Sequence, residues 1–309
     1  MVRSGQGRTA EAAADLRWTA ARRKPPWAPV LSFIRRKPLA AIGGLIVLVM
    51  VFFALAAELV TPVGPLSMHP GRELVGPGAK FVMGSDQNGR DVFSRVVFGA
   101  RTSLTVGLGV VGIGTTLAVF LGAVSGYLGG RFDTYFQRLV DAFMSIPPLV
   151  LLLTIMAVLG AGLMNVVIAL AFRAAISESR IIRSAVISIR ENPYVEAARA
   201  IGARDSRILL RHILPNVFAP AIVIASIALG GAILAEASLS FLGYGVPPPA
   251  PSWGGMLSGE SRQFMLSAPW MALFPGLALS LVVYGINMFG DGLRDVLDPR
   301  QRGAGGRLK

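Results

Sequence analysis

Few side chains in this 309-residue chain could carry covalent or acid–base chemistry. There is no cysteine, which removes thiol nucleophiles, disulfides and Cys-ligated zinc. The only histidines, His69 and His212, lie far apart in the sequence. No H-E-x-x-H zinc helix and no G-x-S-x-G nucleophile elbow is present. The lysines are Lys24, Lys37, Lys80 and Lys309, and none follows a glycine, so a G-x-x-x-x-G-K-[ST] phosphate loop is missing as well. No cofactor or metal is expected in this chain, and any ATP and magnesium it depends on must be bound by another. One opposite-charge pair, Arg173 and Glu178, interrupts an apolar stretch. A charge at the centre of a membrane helix costs about 2.5–3.5 kcal/mol, so both residues are expected to face protein or water.

The segment with the most chemistry in its spacing is Glu191–Pro215, ENPYVEAARAIGARDSRILLRHILP. Asn192-Pro193 reads as a helix start, with Asn as cap and Pro in the first turn. Residues read as small follow at Ala197, Ala198, Ala200 and Ile201, and Gly202 allows a tight turn. Asp205 or Ser206 can cap a second short helix carrying Ile208, Leu209 and Leu210, and Pro215 opens the next long apolar run. The product is a helix–turn–helix. By physics alone it is either a docking element for a partner or an amphipathic hairpin whose arginines meet lipid headgroups.

The elements that must hold this hairpin are membrane helices. The chain is 53% hydrophobic and 15% charged, against roughly 25% charged for a soluble domain. Stretches without Asp, Glu, Lys or Arg run over 38–57, 102–130, 142–172, 212–235 and 263–290. Each is long enough to cross a hydrocarbon core of about 30 Å at about 1.5 Å per residue. The 31-residue run at 142–172 divides at Gly160-Ala161-Gly162. Six spans are therefore expected, near 38–60, 102–128, 142–160, 163–183, 215–236 and 268–290, and in lipid they should be helices. The third would carry Pro147-Pro148 in its first turns. The first, with 20 uncharged residues, is longer than a cleaved signal core and reads as an uncleaved anchor.

The net charge of +13 is distributed as membrane topology would distribute it. Segments 1–37, 131–141, 173–212 and 291–309 hold 24 of the 30 Lys and Arg, and alternating segments hold the rest. This is the positive-inside pattern with both termini cytoplasmic, and it argues against a nucleic-acid partner. The expected organisation is a basic tail over 1–37 and a first span over 38–60. An extracytoplasmic loop over 61–101 leads into a five-helix core over 102–290, with the hairpin at 190–214. A cytoplasmic tail over 291–309 ends the chain.

The order Glu196-Ala197-Ala198, three residues, Gly202, then Leu214-Pro215 resembles the EAA loop of bacterial ABC importer permeases. His212 stands where that family commonly has an apolar residue, with Ile213 beside it. Three further stretches resemble the dipeptide, oligopeptide and nickel permeases: residues 84–104 (GSDQNGRDVFSRVVFGARTSL), 236–254 (EASLSFLGYGVPPPAPSWG) and 274–300 (FPGLALSLVVYGINMFGDGLRDVLDPR). The chain looks like the shorter, C-type permease subunit of that family, with one span before a core of five.

The resemblance implies an all-α, six-helix permease fold and a transport role without catalysis in this chain. Its implied partners are a second, homologous permease subunit in a heterodimer, two ATP-binding-cassette subunits, an extracytoplasmic solute-binding protein and the bilayer. It places ATPase coupling on Glu196, Ala197, Ala198, Gly202, Arg207, Leu214 and Pro215. Peptides are the implied substrate, with glutathione or nickel as the rivals inside the family. A channel or ion-coupled transporter is the rival outside it, and that class would leave the loop unexplained.

Several outer residues carry expectations of their own. Arg90, Asp91, Arg95 and Arg101 should pair with one another or with headgroups, or else contact the binding protein. Glu236 should line the pathway or satisfy the Gly243–Pro249 turn. Trp253 reads as an interfacial anchor. Asp291, Arg294 and Asp295 read as packing partners at the cytoplasmic end of the last helix.

Overall fold

The structure is a computed structural model that describes residues 33–35, 37–258, 260–264 and 266–297. Most of the expected tail at 1–37, and residues 298–309 of the other tail, lie outside the described residues. Among the described residues the chain is helical, and its one β-type contact is an isolated bridge between Ser85 and Asp91.

Eight helices carry the argument. They are α1 (Pro38–Leu55), α2 (Val92–Leu128), α3 (Gly130–Met144), α4 (Pro148–Leu159), α5 (Leu163–Arg190), α6 (Pro193–Ala200), α7 (Asp205–Phe241) and α8 (Trp270–Leu297). Single π-helical turns interrupt α2 at Val111–Thr115 and α7 at Leu209–Ile213. Helices α1, α2, α7 and α8 are each long and apolar enough to cross a membrane. The α3–α4 pair qualifies only jointly, and it is bent by 89°. Helix α5, with 28 residues, has the length but carries Arg173, Glu178 and Arg180 in its first 18 positions. Six spans are compatible with this set.

Three boundaries differ from the sequence expectation. The second span was expected from about 102, yet α2 begins ten residues earlier, at Val92. Asp91 caps it, its carboxylate accepting from the Ser94 backbone N–H at 2.9 Å and the Ser94 hydroxyl at 2.6 Å. Arg95 and Arg101, which ended the charge-free run, are helical because protein atoms satisfy them. Arg101 donates to the Ala54 carbonyl and to Glu58, and Arg95 lies beside Asp86 and two proline carbonyls. The third span, expected over 142–160, is instead the 12-residue α4, about 18 Å long and shorter than a bilayer core. Residues 142–144 belong to α3, and Pro147 breaks the path between them, because the position before a proline disfavours helix and proline itself has no N–H to donate. The fifth span, expected from 215, is continuous with the second helix of the hairpin and starts at Asp205.

Close backbone approach holds the bundle together. A Cβ at Gly122 of α2 would lie 2.5 Å from the Ser179 carbonyl of α5, and one at Gly43 of α1 would lie 2.4 Å from the Gly285 carbonyl of α8. Small-residue faces of this kind let membrane helices pack where no hydrophobic force separates them from lipid. The Glu178 carboxylate is buried in the α2–α5 seam and accepts from the Thr115 hydroxyl at 2.9 Å, so it faces protein as expected. At one end of the bundle, Lys37 before α1 pairs with Asp295 near the end of α8 at 2.5 Å, which places both on the same side.

Candidate functional site

The hairpin between α5 and α7 is built on local backbone chemistry. Asn192 holds the N-cap position of α6, with Pro193 following, as the sequence implies. Its side chain does not cap α6, however; it donates back to the Ile189 carbonyl at 3.0 Å, closing the end of α5 instead. At the other end of α6, Gly202 adopts φ +82°. Its N–H donates to the Arg199 carbonyl at 3.0 Å and the Ala203 N–H donates to the Ala198 carbonyl at 3.1 Å. These two bonds are the Schellman pattern, and the apolar cluster that Ala198 and Ala203 share stands where its usual apolar contact would be.

A second set of contacts fixes the hairpin to the bundle. Val195, Ala198, Ile208, Ile213 and Val217 form one buried cluster with Ala123 and Tyr127 of α2 and Ile182 and Val186 of α5. The Tyr127 hydroxyl donates to Asp205 at 2.6 Å. Asp205 opens α7 as its first residue, so the expected cap at Asp205 or Ser206 is replaced by Arg204 with no side-chain hydrogen bond. Arg190 closes the end of α2 by donating to the Gly126 and Tyr127 carbonyls at 3.2 and 3.0 Å. Helix α3 is fastened to the same end of α5: Arg183 grips Asp133, its Nε at 2.6 Å, and Arg180 meets Asp141 at 2.8 Å.

These contacts sort the sequence-derived residues. Glu196, Ala197, Gly202 and Arg207 are exposed, and the Glu196 carboxylate makes no ion pair among the described residues. Ala197 and Arg207 line one groove of about 460 Å³ with Tyr194, Ile201 and Arg211. Ala198 lines the same groove but is only 6% exposed, and it also packs into the internal cluster. Leu214 packs against the same internal cluster, and Pro215 is exposed at the start of the α-helical part of α7 and is not among the groove's lining residues. Sequence reasoning grouped Ile201 with the small residues and gave it no role of its own, yet it is 86% exposed at the tip beside Gly202. A bare isoleucine next to an arginine cluster on a capped turn was the available signal.

The tie from Tyr127 is testable. Tyr127→Phe removes one hydrogen bond to a charged acceptor at a partly buried site, worth about 1–2 kcal/mol. Hydrogen exchange should rise across residues 193–208 and stay unchanged in α8. Unchanged protection in the hairpin would show that the apolar cluster alone holds it.

At the opposite end of the bundle, loops return onto α2. Trp253, expected as an interfacial anchor, is 2% exposed, and its indole N–H donates to the Val96 carbonyl at 2.9 Å. Glu236 is buried and accepts from the Ser240 hydroxyl at 2.7 Å, and that hydroxyl in turn accepts from the Val246 N–H. It therefore serves the turn after α7. Asp91 is a helix cap rather than a partner of Arg90.

Residues 118–303 match the family described as "Binding-protein-dependent transport system inner membrane component". The chain belongs to this family. It is a permease component of a binding-protein-dependent ABC importer, a multi-pass protein of the bacterial inner membrane that works with ATPase and binding-protein partners. Residues 25–77 of the permease also match the N-terminal TM domain of oligopeptide transport permease C.

Among its relatives, the permease is 43% identical over 277 residues to the dipeptide transport system permease protein DppC of Alkalihalophilus pseudofirmus, covering 90% of this chain and 91% of that one. It is 37% identical to the glutathione transport system permease protein GsiD of Pectobacterium atrosepticum, covering 90% and 92%. The inward-facing MetNI methionine ABC transporter shares the fold, with a TM-score of 0.56 at 20% identity, over 67% of this permease and 97% of that chain.

Proposed function

We propose that this permease forms half of a pathway for di- or oligopeptides, in a heterodimer with a second permease, and that the groove around Ala197, Ile201 and Arg207 seats an ATPase subunit. The observation that carries the docking reading is the division of α6 into two faces. Val195 and Ala198 hold the helix to the bundle, while Glu196, Ala197 and Ile201 are left bare beside Arg204, Arg207 and Arg211. An apolar tip ringed by charge is the composition of a protein interface. The 43% identity to a permease named for dipeptides supports the substrate. Glutathione is the second reading, supported by the relative named for it, and it is itself a peptide with free carboxylates.

Ala197→Trp tests the docking. The exposed position tolerates the bulk, so yield and thermal midpoint should hold, while copurification of the ATPase should fall about ten-fold or more, the equivalent of 1.4 kcal/mol. Ala198→Leu is the contrast, because overpacking a buried site costs about 1–3 kcal/mol and should lower the yield itself. Normal copurification and normal uptake with Ala197→Trp would leave the hairpin as a headgroup-binding element.

Six spans with both ends cytoplasmic are part of the same proposal. Single cysteines, introduced into a chain that has none, report sidedness without background. Positions 80 and 258 should react with an impermeant thiol reagent in intact cells, and position 200 should not. Reaction at position 200 from outside would reverse the topology.

A further inference from the structure

A cavity of about 330 Å³ opens between the loop that enters α2 and the loops that connect α7 to α8, at the opposite end of the bundle from the hairpin. Its polar wall includes Asp86, Gln87, Asn88, Arg90, Arg95 and Ser258, and Met256 and Met271 contribute apolar surface. The charges on this wall do not balance. Asp86 is already engaged: one carboxylate oxygen accepts from the backbone N–H groups of Asn88 and Arg90, both at 2.8 Å, and the other lies 3.7 Å from Arg95 Nε. Arg95 also reaches the Pro65 and Pro249 carbonyls.

Arg90 has no such partners. It is 9% exposed, its Nε is buried without a hydrogen bond, and it forms no ion pair with any described carboxylate. It is close enough to Arg95 for the like charges to repel. Gln87 Oε1, on the same wall, is also buried and unpartnered. A buried guanidinium N–H left without an acceptor is costly, and so is a buried amide oxygen without a donor. The wall therefore lacks one anionic acceptor and one N–H donor.

We propose that this cavity receives the carboxyl-terminal end of a peptide, the carboxylate on Arg90 and the adjacent amide N–H on Gln87 Oε1. A terminal residue supplies an acceptor and a donor a few bonds apart, and an apolar side chain can lie against Met256 and Met271. An aspartate or glutamate side chain from a docking protein sets its carboxylate one or two bonds further from its own backbone N–H. The cavity volume lies at the small end of the range for ligand sites, which suits a short peptide. The inference rests on the reading that the permease imports peptides and that residues 61–91 face outward.

The full-length permease in nanodiscs, carrying Ser258→Cys, tests it, because Ser258 lines the cavity and the native chain has no other thiol. Alanyl-alanine at about ten times its Kd should slow maleimide labelling of this cysteine about ten-fold. Alanyl-alanine amide and acetate, at equal concentration, should not. Arg90→Gln should weaken protection at least about ten-fold, as expected for a lost hydrogen bond to a charged group. Arg90→Lys should retain part of it, and a cysteine at position 80 should label at one rate throughout.

Equal protection by the amide, or none by the free dipeptide, would overturn the site. Full protection by acetate would remove the role of Gln87, and protection by a peptide-free binding protein alone would convert the cavity into a docking pocket. Labelling is read without transport, so the two proposals fail separately. Normal peptide uptake without protection defeats this site alone, whereas protection without peptide uptake defeats the substrate reading and leaves the site.

Discussion

Gly202→Val should abolish most coupled transport while leaving membrane insertion intact. The reason is conformational rather than steric. A Cβ built on Gly202 meets no atom within 4 Å, so the turn has room for a side chain. What it lacks is a comfortable φ: at +82° a β-branched residue is a genuine outlier, and the cost is about 1–3 kcal/mol. That energy falls on the two Schellman bonds from Gly202 and Ala203, which define where α6 stops and where Ile201 points. The outcome should be a frayed tip, with ATPase copurification and substrate-stimulated ATP turnover lost together. Gly202→Asn separates this explanation from simple bulk. Asparagine tolerates the left-handed region and is of similar size to valine, so it should keep most of the activity. If asparagine fails as badly as valine, the partner excludes any side chain there and the backbone argument falls.

The hairpin shows how far residue patterns reach. Asn192-Pro193, Gly202 and the apolar triplet Ile208-Leu209-Leu210 predict two short helices and a turn, and the structure has them. The burial of Ala198 was also legible, since Val195 and Ala198 are three apart and share one helical face. The union of the second short helix with the next span was not legible, because Pro215 looks like a start; in the structure the helix passes from Ile208 through a π turn and places the proline near the beginning of the α segment, where its missing N–H is tolerated.

Counting charge-free residues located the four long apolar helices and misjudged their ends. Arg95 and Arg101 stopped the count because a sequence window does not show that Asp86, Glu58 and three backbone carbonyls will receive them. Pro147-Pro148 was visible but was placed inside a span. The cost of a proline within a helix, about 3 kcal/mol, favours a break there, and the 89° bend between α3 and α4 is the result.

Trp253→Ala should destabilise the permease more than any change in the hairpin. Sequence placed this residue at a water–lipid boundary, but the return of residues 243–252 over the end of α2 encloses it completely. It belongs to one buried cluster with Met50 and Ala54 of α1, Ala100 of α2, Ile233 of α7 and Val282 and Ile286 of α8, so the cluster it anchors spans the four long apolar helices. The fit is close: a Cβ at Gly99 would come within 2.8 Å of the indole, which is why α2 presents no side chain there. Truncation to alanine leaves a cavity and removes the bond to the Val96 carbonyl, and large-to-small changes of this kind cost about 3–5 kcal/mol. Against a total stability of about 5–15 kcal/mol, that is a large fraction. A thermal-shift measurement in detergent should show a drop of several degrees with lower yield, and disulfide cross-linking between Lys37→Cys and Asp295→Cys should weaken as α1 loosens from α8. Trp253→Phe refills much of the volume and loses only the N–H bond, at about 1 kcal/mol, so it should recover most of the midpoint. An unchanged midpoint for Trp253→Ala would mean that the four helices hold their positions without the ring, and the outer loops would then be free to move independently of the bundle.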